Sequence, residues 1–401
     1  MSVLPRVTAA QRRARLVRRH LLASSVRERT AEAVAEALIG LHATDPATVF
    51  LATAARMHRP SVAAVERPLY DTAAGAPALE RIRCMRRTMF VLPAPLAPAV
   101  RSATVRDTRR HRADTMARLR DTLGWDERGY TAAEQATLAA LTARGEATAA
   151  QLAADIPALR EQIVLSPGKP YESRQRASAS VLGVLAAEGR IRRARPAGSW
   201  TSAQFRWAPA RPLPHLPVAE ARTTLARHYL AAFGPVTVDD LKWWTGWNLT
   251  DTRTALAATG AQAVELDEGT GYLLPEDLDA APGRPEPGAA LLPGLDPTAM
   301  GWRHRDWYLD PDHTKALFDR NGNIGPTIWW HGRIIGAWAQ HPDGHINHHF
   351  LTDPGQEART AVDDEITRLT TFLAGTRVTP CYRTPLERDL ASNGRRTARN
   401  G

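Results

Sequence analysis

Cysteine, lysine and long apolar runs are all scarce in this 401-residue chain. The two cysteines, Cys84 and Cys381, lie far apart in the sequence, which argues against a disulfide framework and a cysteine-based metal site. No stretch approaches the roughly 18 uninterrupted apolar residues of a membrane-spanning helix. The segment from Met1 to Arg19 is rich in arginine but lacks the apolar core and the cleavage site of a secretion signal. We therefore expect a cytoplasmic protein.

The positive charge is carried almost entirely by arginine, because lysine occurs only at Lys169, Lys242 and Lys315. The net charge is +10 and the isoelectric point is about 10.2, which favours a polyanionic partner. Arginine binds phosphates and guanine edges through two hydrogen bonds at once, so the composition fits nucleic acid. A GC-rich genome would produce the same bias without functional meaning. The length allows roughly two to four domains.

A helix break is predicted in the segment from Leu41 to Pro46. Apolar residues recur at helical spacing after Thr30, a good N-cap, which predicts a helix from about residue 31 to 41. Pro46 disfavours a helical conformation for Asp45 and suits the first turn of a new helix. The first helix is therefore expected to end between His42 and Asp45.

The break makes His42 and Thr44 candidates for chemistry. Side chains two residues apart point the same way in extended chain, so both could reach one cleft. A histidine can accept a proton near neutral pH, and a hydroxyl can hold a water molecule. The alternative for His42 is a packed or surface residue. For Asp45, the favoured interpretation is the N-cap of the helix that starts at Pro46.

Two arginine-rich segments lie in the first 125 residues. A helix is predicted from Ala9 to Leu22, and its arginines form either a solvated face or a phosphate-contacting face. One or two strands are predicted from Ile82 to Pro93. Arg86 and Arg87 lie inside them and either face solvent or line a groove.

Two later segments each show three helices followed by a hairpin, the pattern of a winged helix. In the first, the predicted helices cover 131–141, 147–153 and 172–188. Gly189 then precedes a basic hairpin that contains Arg192 and Arg193. In the second, the helices cover 219–233, 237–244 and 249–258, and the hairpin covers 264–274. The tryptophans of this second segment, Trp243, Trp244 and Trp247, are interpreted as core residues, with base stacking as the alternative.

The pattern turns to strands after a linker at 281–287 that is rich in proline and glycine. Strands are predicted over 290–293, 327–330, 333–338 and 345–351, with a hairpin turn at His331 and Gly332. We expect a small β-barrel or a curled sheet, closed by a helix over 358–373, and then a disordered tail from Ala391. Four histidines cluster at His341, His345, His348 and His349. They lack an evident carboxylate or cysteine partner, so no metal site is predicted.

Several phrases, taken in order and spacing, resemble the winged-helix DNA glycosylases of the AlkZ and YcaQ type over most of the chain. The matching phrases run from Gly40 to Pro46, Met85 to Val91, Phe233 to Thr237, Lys242 to Trp244, Leu291 to Asp296 and Gly332 to Trp338. The resemblance implies a mainly α fold with β structure (α+β), in which three tandem winged-helix units surround a concave basic channel and a small C-terminal β-barrel follows. The corresponding divisions are 1–125, 126–212 and 213–283 for the winged-helix units, 284–356 for the barrel and 357–401 for a helix and tail.

The activity that this resemblance implies is a DNA glycosylase. Members of the family remove N7-alkylated purines, and some unhook interstrand crosslinks made by genotoxic natural products, which protects the organism that makes the toxin. The catalytic pair is usually Gln-x-Gln or Gln-x-Asp, with histidine first in some members, and His42 and Thr44 occupy those places here. Thr44 departs from the pattern, because a hydroxyl is neither a carboxylate base nor an amide. No lysine lies beside the motif, which favours a monofunctional enzyme over a Schiff-base lyase.

The expected chemistry needs no cofactor or metal. An N7-alkylated purine is cationic and already a good leaving group, so the enzyme has to stabilise an oxocarbenium sugar and place a water molecule. Neutral His42, with an ordinary pKa near 6.5, could accept a proton from that water while Thr44 holds it. A crosslinked base cannot swing into a closed pocket, so the channel should be open.

The expected partner is double-stranded DNA, bound by a monomer that is cytoplasmic and nucleoid-associated when on DNA. The residues predicted to contact phosphates are Arg86, Arg87, Arg192 and Arg193. The hairpin from Trp330 to Arg333 is a weaker candidate, as a probe inserted near the lesion.

The main alternative is a non-catalytic winged-helix DNA-binding protein, a regulator or lesion sensor that lacks the second catalytic side chain. A regulator is expected to bind paired half-sites as a dimer, whereas a repair enzyme can act as a monomer. A hydrolase of small molecules is a distant third, because the sequence has no Gly-x-Ser-x-Gly elbow and no Walker-type loop.

Overall fold

The computed structural model describes residues 4–73, 75–104, 108–166, 168–170, 172–278 and 288–392. The chain divides into two compact units. The first unit takes in Met1–Asp71, Pro77–Thr104 and Leu216–Gly401, and the second takes in Thr72–Ala76 and Val105–His215. Helices and antiparallel strands occur in both units, which confirms the α+β class. The finer division into five segments stays a prediction.

The first unit begins with helices that surround a short strand. The helices are α1 (Ala9–Arg19), α2 (Ala31–Ala37), α3 (Pro46–Arg56), α4 (Val62–Tyr70) and α5 (Ala97–Thr104). The strands are β1 (Leu41–His42), β2 (Leu79–Arg83) and β3 (Met89–Pro93). They form an antiparallel sheet in the order β1-β3-β2, so β3 lies in the middle and holds β1 in place.

The helix predicted over 31–41 is wrong in its last turn. Thr30 caps α2 as expected, with its side chain accepting a hydrogen bond from the Ala33 N–H, but α2 ends at Ala37. Ile39 then adopts a left-handed φ of 64°. A Cβ on Gly40 would lie 2.8 Å from the carbonyl oxygen of Val91, so only glycine lets the chain approach β3 this closely. His42 consequently lies on a strand.

The interpretation of Arg86 and Arg87 as strand residues is also wrong. They lie in a 3₁₀ turn, Met85–Arg87, that joins β2 to β3. Both have left-handed backbone conformations, with φ of 48° and 63°, which a strand does not contain.

The arginines of α1 do not form one exposed face. Arg12 and Arg15 are buried. Arg12 forms an ion pair with Glu268 and places its guanidinium carbon 4.2 Å from the centre of the Trp307 ring. Arg15 donates a hydrogen bond of 2.9 Å to the carbonyl oxygen of Asp277. These side chains bind distant segments of the same unit, so neither of the predicted roles applies to them.

The second unit contains the first of the two predicted helix and hairpin patterns. Its helices are α6 (Thr108–Leu123), α7 (Glu127–Arg144), α8 (Ala149–Asp155) and α9 (Ala177–Ala187). Its strands are β4 (Ala147–Thr148), β5 (Gln162–Leu165), β6 (Ser173–Arg176), β7 (Ile191–Pro196) and β8 (Phe205–Pro209). The predicted third helix is shorter than expected because its first residues form β6, and Gly189 turns the chain with a φ of 73°. The sheet order is β4-β8-β7. The winged-helix assignment stays a prediction.

The second predicted helix and hairpin pattern lies in the first unit. It consists of α10 (Val218–Phe233), α11 (Val238–Thr245), α12 (Leu249–Ala258) and the hairpin β9 (Gln262–Leu266) and β10 (Gly269–Leu273). Trp244 and Trp247 are buried, which confirms their assignment to the core, whereas Trp243 keeps part of its surface exposed.

The β-barrel predicted over 284–356 is wrong. The strands are β11 (Ala289–Leu292), β12 (Thr327–Trp330), β13 (Arg333–Gln340) and β14 (Ile346–Phe350), with the short helix α13 (Thr314–Leu317) before β12. They form an open antiparallel sheet in chain order, and the described residues contain no pairing that closes it. Helix α14 (Gly355–Leu373) packs against β11 and α15 (Pro385–Ser392) packs against β13 and β14, so helices cover the sheet instead. The linker at 281–287 lies outside the described residues. The disordered tail predicted from Ala391 is wrong for its first two residues, which end α15, and the rest of it lies outside the described residues.

A buried ion pair ties α3 to the segment after β11. Arg56 and Asp296 are both fully buried, and the guanidinium donates to the carboxylate through two hydrogen bonds of 2.7 and 2.9 Å. Arg56 also donates to the carbonyl oxygen of His20 and to the Thr298 hydroxyl. Asp296, the last residue of one of the family-like phrases, is thus a structural residue. No helix in the described part of the chain is long and apolar enough to cross a bilayer.

Candidate active site

The backbone around His42 is held by the hairpin of β2 and β3. Leu41 and His42 pair with Val91 and Phe90, and the Ala43 N–H donates a hydrogen bond of 2.8 Å to the carbonyl oxygen of Met89. The guanidinium of Arg81 on β2 approaches the carbonyl oxygen of Ala43 at 3.4 Å. The motif is therefore fixed by ordinary sheet contacts.

The His42 side chain is 4% exposed and its ring centre lies 5.1 Å from that of Phe90. Burial, and then the nearby charge of Arg86, lower the pKa of His42 from 6.5 to about 4. The imidazole is therefore neutral at pH 7 and can accept a proton, although it is a weaker base than its ordinary pKa predicts.

Two polar atoms of the motif are buried without a partner. Neither Nδ1 of His42 nor the Thr44 hydroxyl oxygen has a hydrogen-bond partner among the described residues. Buried polar atoms are nearly always hydrogen-bonded in proteins, so unpartnered ones point to a water molecule or a ligand. The structure thus gives both sequence-predicted catalytic residues a free polar atom.

Asp45 is the N-cap of α3, as expected. One carboxylate oxygen accepts a hydrogen bond of 3.0 Å from the Ala47 N–H, and the other accepts one of 2.8 Å from the Cys381 N–H. Both oxygens are engaged with backbone groups, so Asp45 orders the loop and is not a free base.

Arg86 and Arg87 differ in their surroundings although they are neighbours. The guanidinium carbon of Arg86 lies 4.0 Å from the centre of the Trp243 ring, and Nε of Arg86 is buried without a hydrogen-bond partner in the described structure. Arg87 is exposed at the tip of the turn. Burial, and then the charge of Arg305, lower the pKa of Arg86.

Arg305 is a residue that the sequence did not identify. Its guanidinium carbon lies 5.0 Å from the centre of the same Trp243 ring, and 5.1 Å from that of Phe318. Arg305 is far from Arg86 and Trp243 in sequence and belongs to no recognised motif, so only the fold could reveal the contact.

Arg192 and Arg193 lie on β7 in the second unit, and both side chains are partly exposed. The guanidinium carbon of Arg193 lies 5.3 Å from the ring centre of Phe205 and 5.6 Å from that of Trp207. Both aromatic residues belong to β8, so the hairpin itself supports the arginine.

The hairpin from Trp330 to Arg333 makes a two-residue turn in which His331 and Gly332 have φ of 47° and 74°. The Trp330 ring stacks on His331, with ring centres 4.1 Å apart. Gly332 is buried against α1, since a Cβ there would lie 2.9 Å from the carbonyl oxygen of Arg13. Arg333 remains exposed. The turn therefore packs on α1 instead of projecting into solvent.

No metal centre is evident in the described ranges, where no three histidine, cysteine or acidic side chains lie close enough to hold an ion. In the histidine cluster, His341 Nδ1 lies 2.9 Å from the Asp343 carboxylate, which is a partner that the sequence pattern did not indicate, and the same carboxylate accepts a hydrogen bond of 3.0 Å from the His345 N–H.

Comparison with known families identifies the chain. The model of a family described as "DNA glycosylase AlkZ-like" matches residues 35–372, which is most of the sequence and includes His42, Thr44, Arg86 and Arg305. The chain belongs to the AlkZ-like DNA glycosylase family.

Two individual proteins resemble this AlkZ-like chain. An "Interstrand DNA cross-link repair glycosylase" from Streptomyces sahachiroi is 32% identical over 126 residues. That match covers 30% of this chain and only 34% of the curated relative. The solved structure of a Streptomyces sahachiroi DNA glycosylase AlkZ is 20% identical, covers 91% of this chain and 97% of that chain, and has a TM-score of 0.67. The structural match shows a shared fold.

Proposed function

We propose that this AlkZ-like chain is a monofunctional DNA glycosylase that hydrolyses the N-glycosidic bond of N7-alkylated purines in duplex DNA. The observation that carries the proposal is the buried, neutral His42 with an unpartnered Nδ1, next to Thr44 with an unpartnered hydroxyl. Membership of a DNA glycosylase family supports the reaction class. The net charge of +10 supports a DNA substrate.

In the proposed reaction, His42 and Thr44 hold one water molecule. The bond between the sugar and the cationic purine breaks first, which leaves a neutral base and an oxocarbenium sugar. The water then attacks the sugar carbon, and its proton passes to His42. A base with a pKa of about 4 is sufficient, because a water molecule bonding to a carbocation becomes strongly acidic. The Thr44 hydroxyl orients the water and does not need to accept the proton.

The substrate range is proposed to include bulky adducts and interstrand crosslinks. The relative from Streptomyces sahachiroi is named for crosslink repair, and this supports the same class of lesion here. A role in self-resistance to a genotoxic natural product would follow from that substrate range.

DNA binding is proposed to involve winged-helix units around a basic channel, with the protein acting as a monomer. Arg87 and Arg333 are exposed in the first unit, and Arg192 and Arg193 are partly exposed in the second. Arginine side chains that reach solvent are suited to phosphate contacts. The packing of Gly332 on α1 makes Trp330 a weaker candidate for insertion into DNA.

The test is an excision assay on a duplex that contains one N7-methylguanine, and a second duplex that contains a bulky N7 adduct. Release of the modified base together with an alkali-labile abasic site is the expected result. The variant His42→Ala should lose about a hundredfold or more in excision rate, as is usual for a general base. His58→Ala is the matched control, because His58 is an exposed histidine of the same unit.

Two outcomes would contradict the proposal. Rates no higher than spontaneous base loss on both duplexes would favour the non-catalytic DNA-binding alternative. Equal losses in His42→Ala and Asp45→Ala would mean that the wrong residue of the motif has been assigned to chemistry.

A further inference from the structure

Two guanidinium groups pack against the ring of Trp243 on α11. The guanidinium carbon of Arg86 lies 4.0 Å and that of Arg305 lies 5.0 Å from the ring centre. Burial, and then the positive charge of Arg305, lower the pKa of Arg86. The indole keeps part of its surface exposed, so the group reaches solvent.

Helix α11 holds both arginines in place. Asp240 on this helix is fully buried and accepts hydrogen bonds of 2.8 and 3.0 Å from the N–H groups of Arg303 and His304, which fixes the loop that carries Arg305. At the end of α11, a Cβ on Gly246 would lie 3.3 Å from Cγ of Arg86, so glycine allows the β2–β3 turn to approach. The arrangement is therefore formed before any ligand arrives.

Neither guanidinium has an acidic partner within the part of the chain that the structure describes. Nε of Arg86 and Nε of Arg305 are also buried there without hydrogen-bond partners. The carboxylate of Asp240 is occupied by Thr237 and by backbone N–H groups. Two neighbouring positive charges without a counter-charge are unfavourable unless an anion binds to them.

The position of this charge beside His42 indicates which anion fits. Arg86 acts electrostatically on His42, and His42 would face a sugar that becomes positive during the proposed reaction. An uncompensated guanidinium opposes that charge, whereas a DNA phosphate bound to it cancels the opposition. Arginine also binds phosphate oxygens through two hydrogen bonds at once.

We infer that Arg86 and Arg305, supported by Trp243, bind one phosphodiester of the DNA strand immediately beside the damaged nucleotide. This inference rests on the proposed function, since it assumes DNA as the ligand. It assigns Arg305 a role in the same site as His42, and it assigns Trp243 the role of a rigid platform for two arginines instead of a platform for bases.

The test measures binding to an uncleavable duplex that contains a tetrahydrofuran abasic analogue. Each phosphate near the analogue is replaced in turn by a neutral methylphosphonate. In the unaltered protein, one position next to the analogue should weaken binding by about tenfold, the loss expected for a charge-assisted contact. The variants Arg86→Gln and Arg305→Gln should each bind the ordinary duplex less tightly, and neither should lose further affinity at that position.

The matched control is Arg320→Gln, because Arg320 is an exposed arginine of the same unit. When the sensitive phosphate is replaced by a methylphosphonate, Arg320→Gln should lose as much binding affinity as the unaltered protein does. Arg305→Lys retains the charge and should recover part of the affinity, which separates a charge effect from a folding defect. Each variant is checked for an unchanged unfolding midpoint.

Several results would overturn the inference. The first is that each methylphosphonate replacement weakens binding equally in the unaltered protein and in Arg305→Gln. The second is coupling of Arg86 and Arg305 to two different phosphates. If the protein excises the base but Arg86 and Arg305 are not coupled to one phosphate, the inference is wrong and the proposed function still stands. Coupling without excision would support the phosphate contact and remove the glycosylase proposal.

Discussion

Arg56 and Arg86 are two arginines of the same unit with opposite surroundings. Arg56 is fully buried and every contact it makes is to a fixed acceptor, above all the bidentate pair with Asp296. Arg86 lies on an indole beside a second arginine, with a buried nitrogen that has no partner among the described residues. The charge of Arg56 is neutralised by Asp296, whereas the charge of Arg86 has no acidic partner among the described residues.

The same contrast extends to the second unit. Arg112 there donates to the carboxylates of both Glu134 and Glu188, and these contacts raise its pKa. Burial and the charge of Arg305 lower the pKa of Arg86 instead. A neutralised arginine contributes to stability, and an uncompensated one is stabilised only when an anion binds.

The strongest test of this comparison is to remove each charge in turn. Arg56→Met leaves the buried carboxylate of Asp296 without its positively charged partner, and among the described residues only the Thr298 N–H still donates to it, so the free energy of unfolding should fall by about 3–5 kcal/mol. Arg86→Met leaves no unpaired acid, and it loses the contact with Trp243 while it also removes the unfavourable charge beside Arg305, so a loss of about 1 kcal/mol or less is expected. Urea unfolding of the two variants measures both values. Similar losses would mean that the two arginines do not differ in kind.

A control for Arg56 removes both partners together. The double variant Arg56→Met with Asp296→Leu should be more stable than Arg56→Met alone, because no isolated charge remains in the core. A double variant that is no more stable than the single one would mean that the other contacts of Arg56, to His20 and Thr298, dominate.

A second test concerns the unpartnered hydroxyl of Thr44. Thr44→Val keeps the shape of the side chain and removes the hydrogen bond to the proposed water, so kcat/KM for excision should fall about tenfold. Thr44→Ser keeps the hydroxyl and should stay within about twofold of the unaltered protein. Single-turnover excision rates measure both. A full rate in Thr44→Val would show that His42 positions the water without help.

A third test uses Asp45, whose oxygens are both occupied. Asp45→Ala removes the cap of α3 and should lower the free energy of unfolding by about 1 kcal/mol, with excision reduced less than in His42→Ala. Asn is an equally good N-cap, but its NH2 group cannot accept the second hydrogen bond from the Cys381 N–H, so the stability of Asp45→Asn should lie between that of Asp45→Ala and that of the unaltered protein. Thermal unfolding and excision are measured on the same preparations. Loss of excision without loss of stability would identify Asp45 as a chemical residue.

The smallest effect is expected from pH. His42 acts as a base in its neutral form, and its pKa in the free protein is about 4. The neutral form therefore persists as the pH falls, and it is lost only as the pH passes through about 4. After subtraction of the enzyme-free rate, kcat/KM should change by less than about twofold between pH 7.5 and 5.5. A fall centred near pH 6.5 would mean that His42 is less desolvated than the structure shows.

Local patterns predicted much of the fold. Helices α10 to α12 and strands β11 to β14 follow from periodicity, caps and turn residues within each segment. Asp45 and Pro46 predicted the start of α3, because capping depends only on neighbouring residues. His42 and Thr44 are candidates because of their place in a motif, whereas the strand that holds His42 does not follow from the local pattern.

The errors share a physical cause, which is dependence on distant residues. The close approach of Gly40 to Val91 ends the helix before His42, and no local propensity encodes that contact. Arg12 looked like a surface residue because its partner, Glu268, lies far along the chain. The meeting of Arg305 with Trp243 and Arg86 is of the same kind. The prediction of a closed β-barrel is wrong for the same reason, because the form of the sheet depends on the distant helices that pack against it.

The hydrogen bond from the Cys381 N–H to Asp45 joins two parts of the chain that are made at very different times. During synthesis, the segment that carries His42 leaves the ribosome long before Cys381 does. The second oxygen of Asp45 therefore lacks its backbone donor until Cys381 has emerged. Nascent chains held on the ribosome should therefore complete the hydrogen bonding of the His42 loop only after Cys381 has emerged.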